Sequence, residues 1–205
     1  MKIIEPEIKI LDEIDGNTIL KKLERIGRVC YKSEDRITEN SAKDFIHRIL
    51  SSGHESVIEH EIISVRVICD RGVSHEIVRH RIASYSQEST RYCNYNKEKF
   101  GKELTFIKPC FWNEGSILFD IWKKSMKEAE DAYNFMINNG ASPQEARSIL
   151  PNSLKTEIVM TMNLREWRHF LRLRTSERAH PQMQEISFKI LEKFKISIPI
   201  IFDDI

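Results

Sequence analysis

Residues 79–91 combine the side chains that most often bind anions. They read RHRIASYSQESTR, so a cationic run is followed by hydroxyl and amide groups. Arginine presents a planar fork of donors that fits a phosphate, and serine and threonine add short neutral donors. A turn rich in serine also offers backbone N–H groups to an anion. Because the segment has no glycine, we expect its side chains to do the binding. A solvated basic helix end that runs into a polar loop is the alternative interpretation.

A second candidate lies in the helix predicted after Asn163. Four basic residues share one stripe of that helix, about 100° wide at the helical period; they are Arg165, Arg168, His169 and Arg172. Such a stripe beside an apolar face is typical of solvated surface. Arg174 instead projects onto the apolar side. A buried arginine must pair with a carboxylate or bind an anionic ligand, so Arg174 is a candidate functional residue.

The order of these residues resembles the signature of the flavin-dependent thymidylate synthases. There, Arg-His-Arg is followed by seven residues, a serine and, two further on, an arginine; here these are Arg79, His80, Arg81, Ser89 and Arg91. Several specified positions at fixed spacing are more specific than a single glycine motif. The resemblance extends over about residues 20–190. Its other matching positions are residues 54–60, Arg147, Asn163, Arg165, His169 and Arg174.

This resemblance implies an enzyme that makes dTMP from dUMP. The methylene group would come from 5,10-methylenetetrahydrofolate and the hydride from reduced FAD, with NADPH reducing the flavin again. Tetrahydrofolate would then be the folate product. The resemblance also implies a homotetramer with shared active sites.

The resemblance assigns roles to particular residues of this sequence. The flavin would be held by Ser56, Arg79, His80, Arg81, Gln87, Asn163, Arg165 and His169. The dUMP would be held by Glu76, Arg79, Gln87, Ser89, Arg91, Arg147 and Arg174. Among these, Arg174 would be catalytic, because it would stabilise negative charge that develops on the uracil ring. His54 and Tyr92 would face the folate or the nicotinamide.

The sequence departs from the family pattern at two positions. Many members carry glutamine three residues before the first arginine and glutamate two residues before the serine, whereas this chain has Glu76 and Gln87. The exchange either preserves one carboxylate and one amide near the substrate or alters the local charge. The common Asn-Glu dipeptide is Ser86-Gln87 here, so individual contacts in this turn are less firmly predicted.

Cys93 invites a different mechanism, in which a thiolate adds to C6 of the uracil. It lies two residues after Arg91, whose charge could lower the pKa of a thiol, but no neighbour in the sequence supplies a base. Ser89 is a poor nucleophile without a histidine as its base, and it is better suited to bind phosphate. The resemblance favours direct polarisation of the uracil by Arg174.

The histidines do not form a recognisable metal motif. Two His-Glu pairs, at His54 and His75, begin the metalloprotease motif, which needs a second histidine four residues after the first. The next histidines are His60 and His80 instead. On a helix, His75 and His80 would project about 140° apart, so we predict no metal site.

Composition limits the class of protein. The 205 residues contain 32 lysines and arginines against 31 acidic residues, and the net charge of +1 does not favour a nucleic-acid partner. We expect a cytoplasmic protein, because the N-terminus does not resemble a signal peptide and no apolar run reaches the length of a membrane span. The four cysteines are widely spaced and are expected to be free thiols.

The predicted elements indicate a single α+β domain over residues 1–205, with a small sheet packed against several helices. Helices are expected after Asn17, around residues 45–50, and over residues 73–80, 115–139, 142–151, 163–173 and 181–194. Asn17 and Asn163 are the expected N-caps of their helices, and Ser142 and Glu145 form an expected capping box. Strands are expected at residues 3–11, 61–69 and 154–162. Two alternative functions stay open: a nucleotide- or RNA-phosphate-binding module without catalysis, and a flavoprotein reductase that does not transfer a methyl group.

Overall fold

Six strands form two small sheets. They are β1 (Lys2–Ile4), β2 (Glu7–Ile10), β3 (Ile62–Asp70), β4 (Ser84–Gln87), β5 (Thr105–Ile107) and β6 (Lys155–Asn163). β1 and β5 pair in parallel, with Lys2 opposite Thr105 and Ile4 opposite Ile107. The other sheet has the strand order β2-β3-β6-β4. The single edge strand predicted at residues 3–11 is therefore wrong, because that segment forms two strands that belong to different sheets.

The two long strands form where the sequence alternates between apolar and polar residues. In β3, Ile63, Val65 and Val67 are buried, and in β6 Ile158 and Met160 are buried. Successive side chains of a strand point to opposite faces, so this pattern gives each strand one apolar face. β4 was not predicted, because Ser-Tyr-Ser-Gln lacks such alternation.

The chain also has seven α-helices, of which the last two follow β6. They are α1 (Gly16–Val29), α2 (Ser41–Ser51), α3 (Arg71–Ile77), α4 (Ile117–Asn138), α5 (Pro143–Ala146), α6 (Leu164–Arg174) and α7 (Pro181–Ser197). Short 3-10 turns lie at Glu34–Arg36, Glu55–His60, Glu98–Phe100 and Arg147–Ile149. None of the helices has the length and apolar character that a membrane crossing needs.

The predicted capping residues can be compared with the N-caps in the structure at α5 and α1. The capping box of α5 is confirmed, since Ser142 and Glu145 bond each other as expected (Ser142 N to Glu145 Oε2, 2.7 Å). α1 differs: its N-cap is Asp15, whose carboxylate accepts a bond from the backbone N–H of Asn17 at 3.0 Å. The predicted cap at Asn17 is therefore wrong by two residues. Either side chain can cap a helix, and Asp15 does so first along the chain.

The computed structural model describes all of residues 1–205 and confirms the α+β class. Its residues fall into two compact units, each assembled from three segments. The first unit consists of Met1–Glu7, Val67–Arg79 and Tyr85–Val159. The second unit consists of Ile8–Arg66, His80–Ser84 and Met160–Ile205. A single domain over residues 1–205 stays a prediction.

The first unit has an aromatic core built on α4. Phe119, Trp122 and Tyr133 of that helix pack with Phe106 of β5 and with Tyr95. Burial of such large side chains contributes roughly 1.5–3 kcal/mol each. Tyr95 belongs to the segment that follows β4, so this cluster also anchors that segment.

The second unit has a core formed by α1, α2, α6 and α7. Trp167 and Phe170 of α6 and Phe194 of α7 are fully buried, and the rings of Trp167 and Phe194 meet edge to face with centroids 5.1 Å apart. The indole N–H of Trp167 donates to the carbonyl of Ile63 in β3 at 3.0 Å. α6 is therefore fixed on its apolar face, and its polar residues keep defined positions.

Candidate active site

Gln87, the last residue of β4, is held by two hydroxyl groups of the first unit. Its Nε2 donates to Ser74 Oγ of α3 at 2.9 Å and to Thr156 Oγ1 of β6 at 3.1 Å. Ser74 and Thr156 are fully buried, so the amide has one defined orientation. Glu76, which occupies the other exchanged position, lies on α3 and is half-buried. The side-chain amide of Gln87 is thus part of a preorganised polar site.

The turn after β4 brings Arg91 to the helix that Arg147 follows. The Ser89 carbonyl accepts a bond from the backbone N–H of Cys93 at 2.9 Å, which closes the turn. Arg91 Nε donates to Gln144 Oε1 of α5 at 3.2 Å. Arg147 begins the 3-10 turn directly after α5. Gln144 was not among the predicted site residues, although its place in a capped helix just before Arg147 was an available signal.

A network of hydrogen bonds among one buried and two half-buried side chains supports this turn. Tyr95 OH donates to Glu88 Oε1 at 2.8 Å, and Lys155 Nζ donates to Glu88 Oε2 at 2.6 Å. Burial, together with the Glu88 charge, raises the pKa of Tyr95 well above its ordinary value, so the phenol stays a donor. This network was not predicted, because Lys155 lies 67 positions from Glu88 in the chain.

The remaining arginines predicted to bind anions are exposed. Arg79, Arg81 and Arg147 have no ion-pair partner, so their guanidinium groups can bind a ligand without first breaking a protein contact. Arg79 and Arg81 follow the end of α3 at Ile77, which is three residues earlier than predicted. The motif arginines are therefore carried by the connection between α3 and β4 and not by a helix.

The first turn of α6 carries the other predicted flavin ligands. Asn163 is the N-cap, as predicted, and its Oδ1 accepts a bond from the backbone N–H of Glu166 at 2.9 Å. Arg165 is exposed and pairs with Glu59, with 2.5 Å between Nη1 and Oε1. His169, one turn further on, is also exposed. Arg165 and His169 therefore present donors on the same side of α6, because residues four apart on a helix are neighbours.

His80 and Arg174 contact each other in the second unit. Arg174 Nε–H donates to His80 Nε2 at 3.0 Å, and His80 Nδ1 lies 3.5 Å from Glu166 Oε1. Burial first, and the charges of Arg174 and His169 next, lower the pKa of His80 to about 4. The imidazole is thus neutral at pH 7 and uses its Nε2 lone pair to orient the guanidinium. No local pattern indicates this contact, because the two residues are 94 positions apart.

The chain shows clear similarity to proteins of known function. The family model of the thymidylate synthase complementing protein matches residues 14–200. The flavin-dependent thymidylate synthase of Pyrococcus furiosus is 42% identical over 168 residues, which cover 82% of this chain and 68% of the relative. The protein of the same name from Pyrococcus abyssi is 40% identical over 163 residues, covering 79% and 66%. That of Geobacter sulfurreducens is 33% identical over 185 residues, covering 87% and 78%.

The chain belongs to the flavin-dependent thymidylate synthase family. The resemblance seen in the motif is thereby confirmed. This chain spans about two thirds of the length of the Pyrococcus relatives that it matches. Because the relatives are enzymes by name, a phosphate-binding module without catalysis is the weaker interpretation.

Arg168 is the more deeply buried of two buried arginines in this thymidylate synthase family member. It is 2% exposed, and its guanidinium bonds Glu55 Oε1 at 3.1 Å, both carboxylate oxygens of Asp204 at 2.7 and 2.8 Å, and the carbonyl of Ile201. The hydrogen bond from Arg168 is the main reason that the pKa of Asp204 falls to about 2. Placing Arg168 on a solvated stripe was wrong, because carboxylates far away in the sequence pair with it.

One group of side chains has the composition of a metal site. His80, Glu166 and His169 bring three potential ligand atoms within 4.8 Å of one another. This group was not predicted, because His80 is far from Glu166 and His169 in the sequence. Arg174 already donates to Nε2 of His80, and its positive charge beside the group opposes a cation.

His54 and Ser56 line a cavity of about 780 Å³ in the second unit. The cavity lies between the end of α1, α2 and the 3-10 turn Glu55–His60. Both side chains are exposed. Tyr92, which was predicted to share the role of His54, lies in the first unit and is 75% exposed. Space for a ligand of flavin or folate size is thus present beside His54.

The pKa of His80 predicts an acid-sensitive fold. In the unfolded chain His80 has its ordinary pKa of 6.5, and in the folded chain the pKa is about 4. The unfolded state therefore binds the proton first as the pH falls, so we expect stability to be lost between about pH 6.5 and 4 and to be unaffected by His80 above that range. Urea midpoints measured across this range check the expectation.

The matched variants for this measurement are His80→Gln and His47→Gln. His80→Gln should have a flatter dependence of the urea midpoint on pH than the unchanged protein. His47 is exposed on α2, and His47→Gln should keep the original slope. Equal slopes for all three proteins would contradict a buried, neutral His80.

Proposed function

We propose that this chain synthesises dTMP from dUMP, taking the methylene group from 5,10-methylenetetrahydrofolate and releasing tetrahydrofolate. NADPH would recharge the flavin between turnovers. The observation that carries the proposal is the family match over residues 14–200, because this range includes every predicted site residue. The net charge of +1 further supports small-molecule substrates over a nucleic acid.

The side chains of the motif are chemically suited to bind FAD. Arg79 and Arg81 have unpaired guanidinium groups, which bind the oxygens of a diphosphate well. The other proposed flavin ligands are Ser56, His80, Gln87, Asn163, Arg165 and His169. Reduced FAD would supply the hydride, while the protein supplies orientation and charge.

Binding of dUMP would use the polar residues around β4 and α5. The proposed ligands are Glu76, Arg79, Gln87, Ser89, Arg91, Arg147 and Arg174. We assign Arg91 to the phosphate, because its exposed guanidinium is steadied by Gln144 and the adjacent Ser89 adds a hydroxyl donor. Two arginines and a serine are a common donor set for a phosphate monoester.

Arg174 would act on the uracil ring. Its positive charge would stabilise negative charge that develops on the ring as C5 becomes nucleophilic, which is an electrostatic effect of the oxyanion-hole kind. The neutral His80 accepts the Nε–H of Arg174 and so fixes the plane of the guanidinium before substrate binds. A donor that is already oriented does not have to reorganise during the reaction, which is what makes such groups effective.

His54 and Tyr92 would face the folate or the nicotinamide. An imidazole and an exposed phenol ring are suited to stack against a pterin or a nicotinamide ring. We further propose a homotetramer with shared active sites and a cytoplasmic location. The homotetramer comes from the family resemblance alone.

The proposal predicts that the purified protein binds FAD. We expect a yellow protein, or a colourless one that quenches the fluorescence of added FAD. Arg81→Ala should weaken FAD binding about ten- to a hundredfold, the usual loss for a charge-assisted contact. Arg25→Ala, an exposed arginine of α1, is the control and should bind FAD normally. A protein that neither carries nor binds FAD would refute the proposal.

A further inference from the structure

The cavity beside His54 has an unbalanced positive charge. Lys32, Arg36 and Arg48 line it, and none of the three forms an ion pair. Asp35 is the one acidic residue of the lining. In a concave surface with walls of low polarity, like charges raise the local potential more than they would on a flat surface. The cavity therefore attracts anions in a chain whose net charge is only +1.

Arg28, which also lines the cavity, is in contrast neutralised by a carboxylate. Its Nε and Nη2 donate to Glu24 Oε1 at 2.8 and 2.7 Å, and it is buried over the ring of Phe45. Arg28 and Glu24 thus neutralise each other's charge within α1. Arg48 also lies over the Phe45 ring, 5.8 Å from its centroid. Lys32, Arg36 and Arg48 pair with no carboxylate, so a ligand would have to supply the negative charge.

Lys32 occupies a backbone position that favours glycine. It follows α1 with φ of 49°, and the bonds Lys32 N to Val29 O (3.3 Å) and Ser33 N to Arg28 O (3.2 Å) form a left-handed helix ending. A side chain at such a position costs conformational energy that glycine avoids.

The end of α2 shows the usual solution for the same backbone geometry. Gly53 has φ of 74°, with the bonds Gly53 N to Leu50 O (2.9 Å) and His54 N to Ile49 O (2.8 Å). The two helix ends have the same hydrogen-bond pattern, and residues at both ends line the cavity. The lysine at the α1 end thus places a cation at the cavity against its own backbone preference.

The cavity also offers aromatic and apolar surface. Tyr31, next to Lys32, is 76% exposed, and Ile49 and Val57 are half-buried in the lining. Gly27 allows the ring of Phe45 to approach, because a Cβ there would lie 2.7 Å from the ring. An exposed phenol ring beside three cations suits a ligand that combines a planar ring with several negative charges.

We propose that this cavity binds the anionic tail of a planar co-substrate, through Lys32, Arg36 and Arg48. The tail carries several carboxylates or phosphates, so it is either the glutamyl tail of a folate or the phosphates of a nicotinamide dinucleotide. The inference rests on the proposed function, since His54 in the same lining is the proposed co-substrate residue. The inference extends the proposed function by naming the charged end of the co-substrate and the residues that would bind it.

Equilibrium binding to the FAD-loaded protein with dUMP tests the proposal without turnover. The probes are pteroylmonoglutamate against pteroyltriglutamate, and NADP⁺ against NAD⁺; each pair differs in negative charge. The unchanged protein should prefer the more charged member of one pair, and that pair identifies the source of the tail. Higher salt should reduce this preference, because exposed charges are screened.

Lys32→Gly and Lys102→Gly are matched variants. Lys102 also has a positive φ, 55°, but it lies outside the cavity. Both variants should unfold at a higher urea concentration, because glycine suits their backbone. Only Lys32→Gly should lose affinity for the preferred probe, by about tenfold, and adding Arg36→Gln and Arg48→Gln should abolish the preference. FAD content should not change.

Three outcomes would overturn the inference. They are no preference within either pair, equal affinities for the Lys32→Gly and Lys102→Gly proteins, or loss of FAD in place of the probe. None of these requires dTMP formation. A protein that forms dTMP without any charge preference refutes the cavity alone, and one that shows the preference but forms no dTMP refutes the proposed function alone.

Discussion

Arg174→Ala is expected to lower kcat by about 10²–10³-fold, the usual cost of removing one donor to a developing oxyanion. The effect should appear in kcat as well as in dUMP binding, because the interaction strengthens as charge develops in the transition state. The structure adds a second readout. The charge of Arg174 helps to lower the pKa of His80, so that pKa should rise in Arg174→Ala. NMR titration of the His80 ring checks this shift independently of activity.

Arg91→Ala provides the contrast. A charge-assisted bond to phosphate contributes roughly 1.5–3 kcal/mol, so dUMP binding should weaken about ten- to a hundredfold with kcat and FAD content largely kept. Arg178→Ala, an exposed arginine beyond α6, is the control for both variants and should behave as the unchanged protein. If Arg91→Ala and Arg174→Ala both change KM alone, the division between phosphate and ring is wrong.

The second large effect concerns the folate product. We expect one tetrahydrofolate and one oxidised NADPH for each dTMP, because the hydride would come from the flavin and the folate would give up only its methylene. In a thiol mechanism the folate would also be the reductant and would leave as dihydrofolate. Chromatography of the folates together with NADPH absorbance measures both quantities in one reaction.

The surroundings of Cys93 support this expectation. Its side chain packs against the aromatic core of the first unit, and its backbone N–H is bonded to Ser89. No imidazole or carboxylate forms a hydrogen bond with the thiol to act as its base. Cys93→Ala should therefore keep a substantial fraction of activity, with Cys110→Ala as the control. Loss of all activity in Cys93→Ala alone would favour the thiol mechanism.

Local patterns were sufficient to predict most of the elements. The alternation in β3, the Ser142–Glu145 box and the Asn163 cap depend on residues a few positions apart, and each is confirmed. β4 could not be predicted, because its four polar residues form a strand only when a neighbouring strand supplies the hydrogen bonds. Such non-local pairing leaves no trace in the local sequence.

The site was predicted unevenly for the same reason. The arginines of residues 79–91 were found from spacing alone, and the structure leaves Arg79 and Arg81 exposed and unpaired. The contact of His80 with Arg174 joins residues 94 positions apart, and that of Arg168 with Asp204 joins residues 36 apart. The helical projection therefore predicted a solvent-exposed Arg168, whereas the structure buries it.

The identity of the folate product tests the central claim most directly. Purified protein is incubated with dUMP, 5,10-methylenetetrahydrofolate, FAD and NADPH, and the folates are separated after several turnovers. The proposed function predicts tetrahydrofolate in equal amount to dTMP. Protein that has been stripped of its flavin should form no dTMP unless FAD is added back. Dihydrofolate in equal amount to dTMP would contradict it.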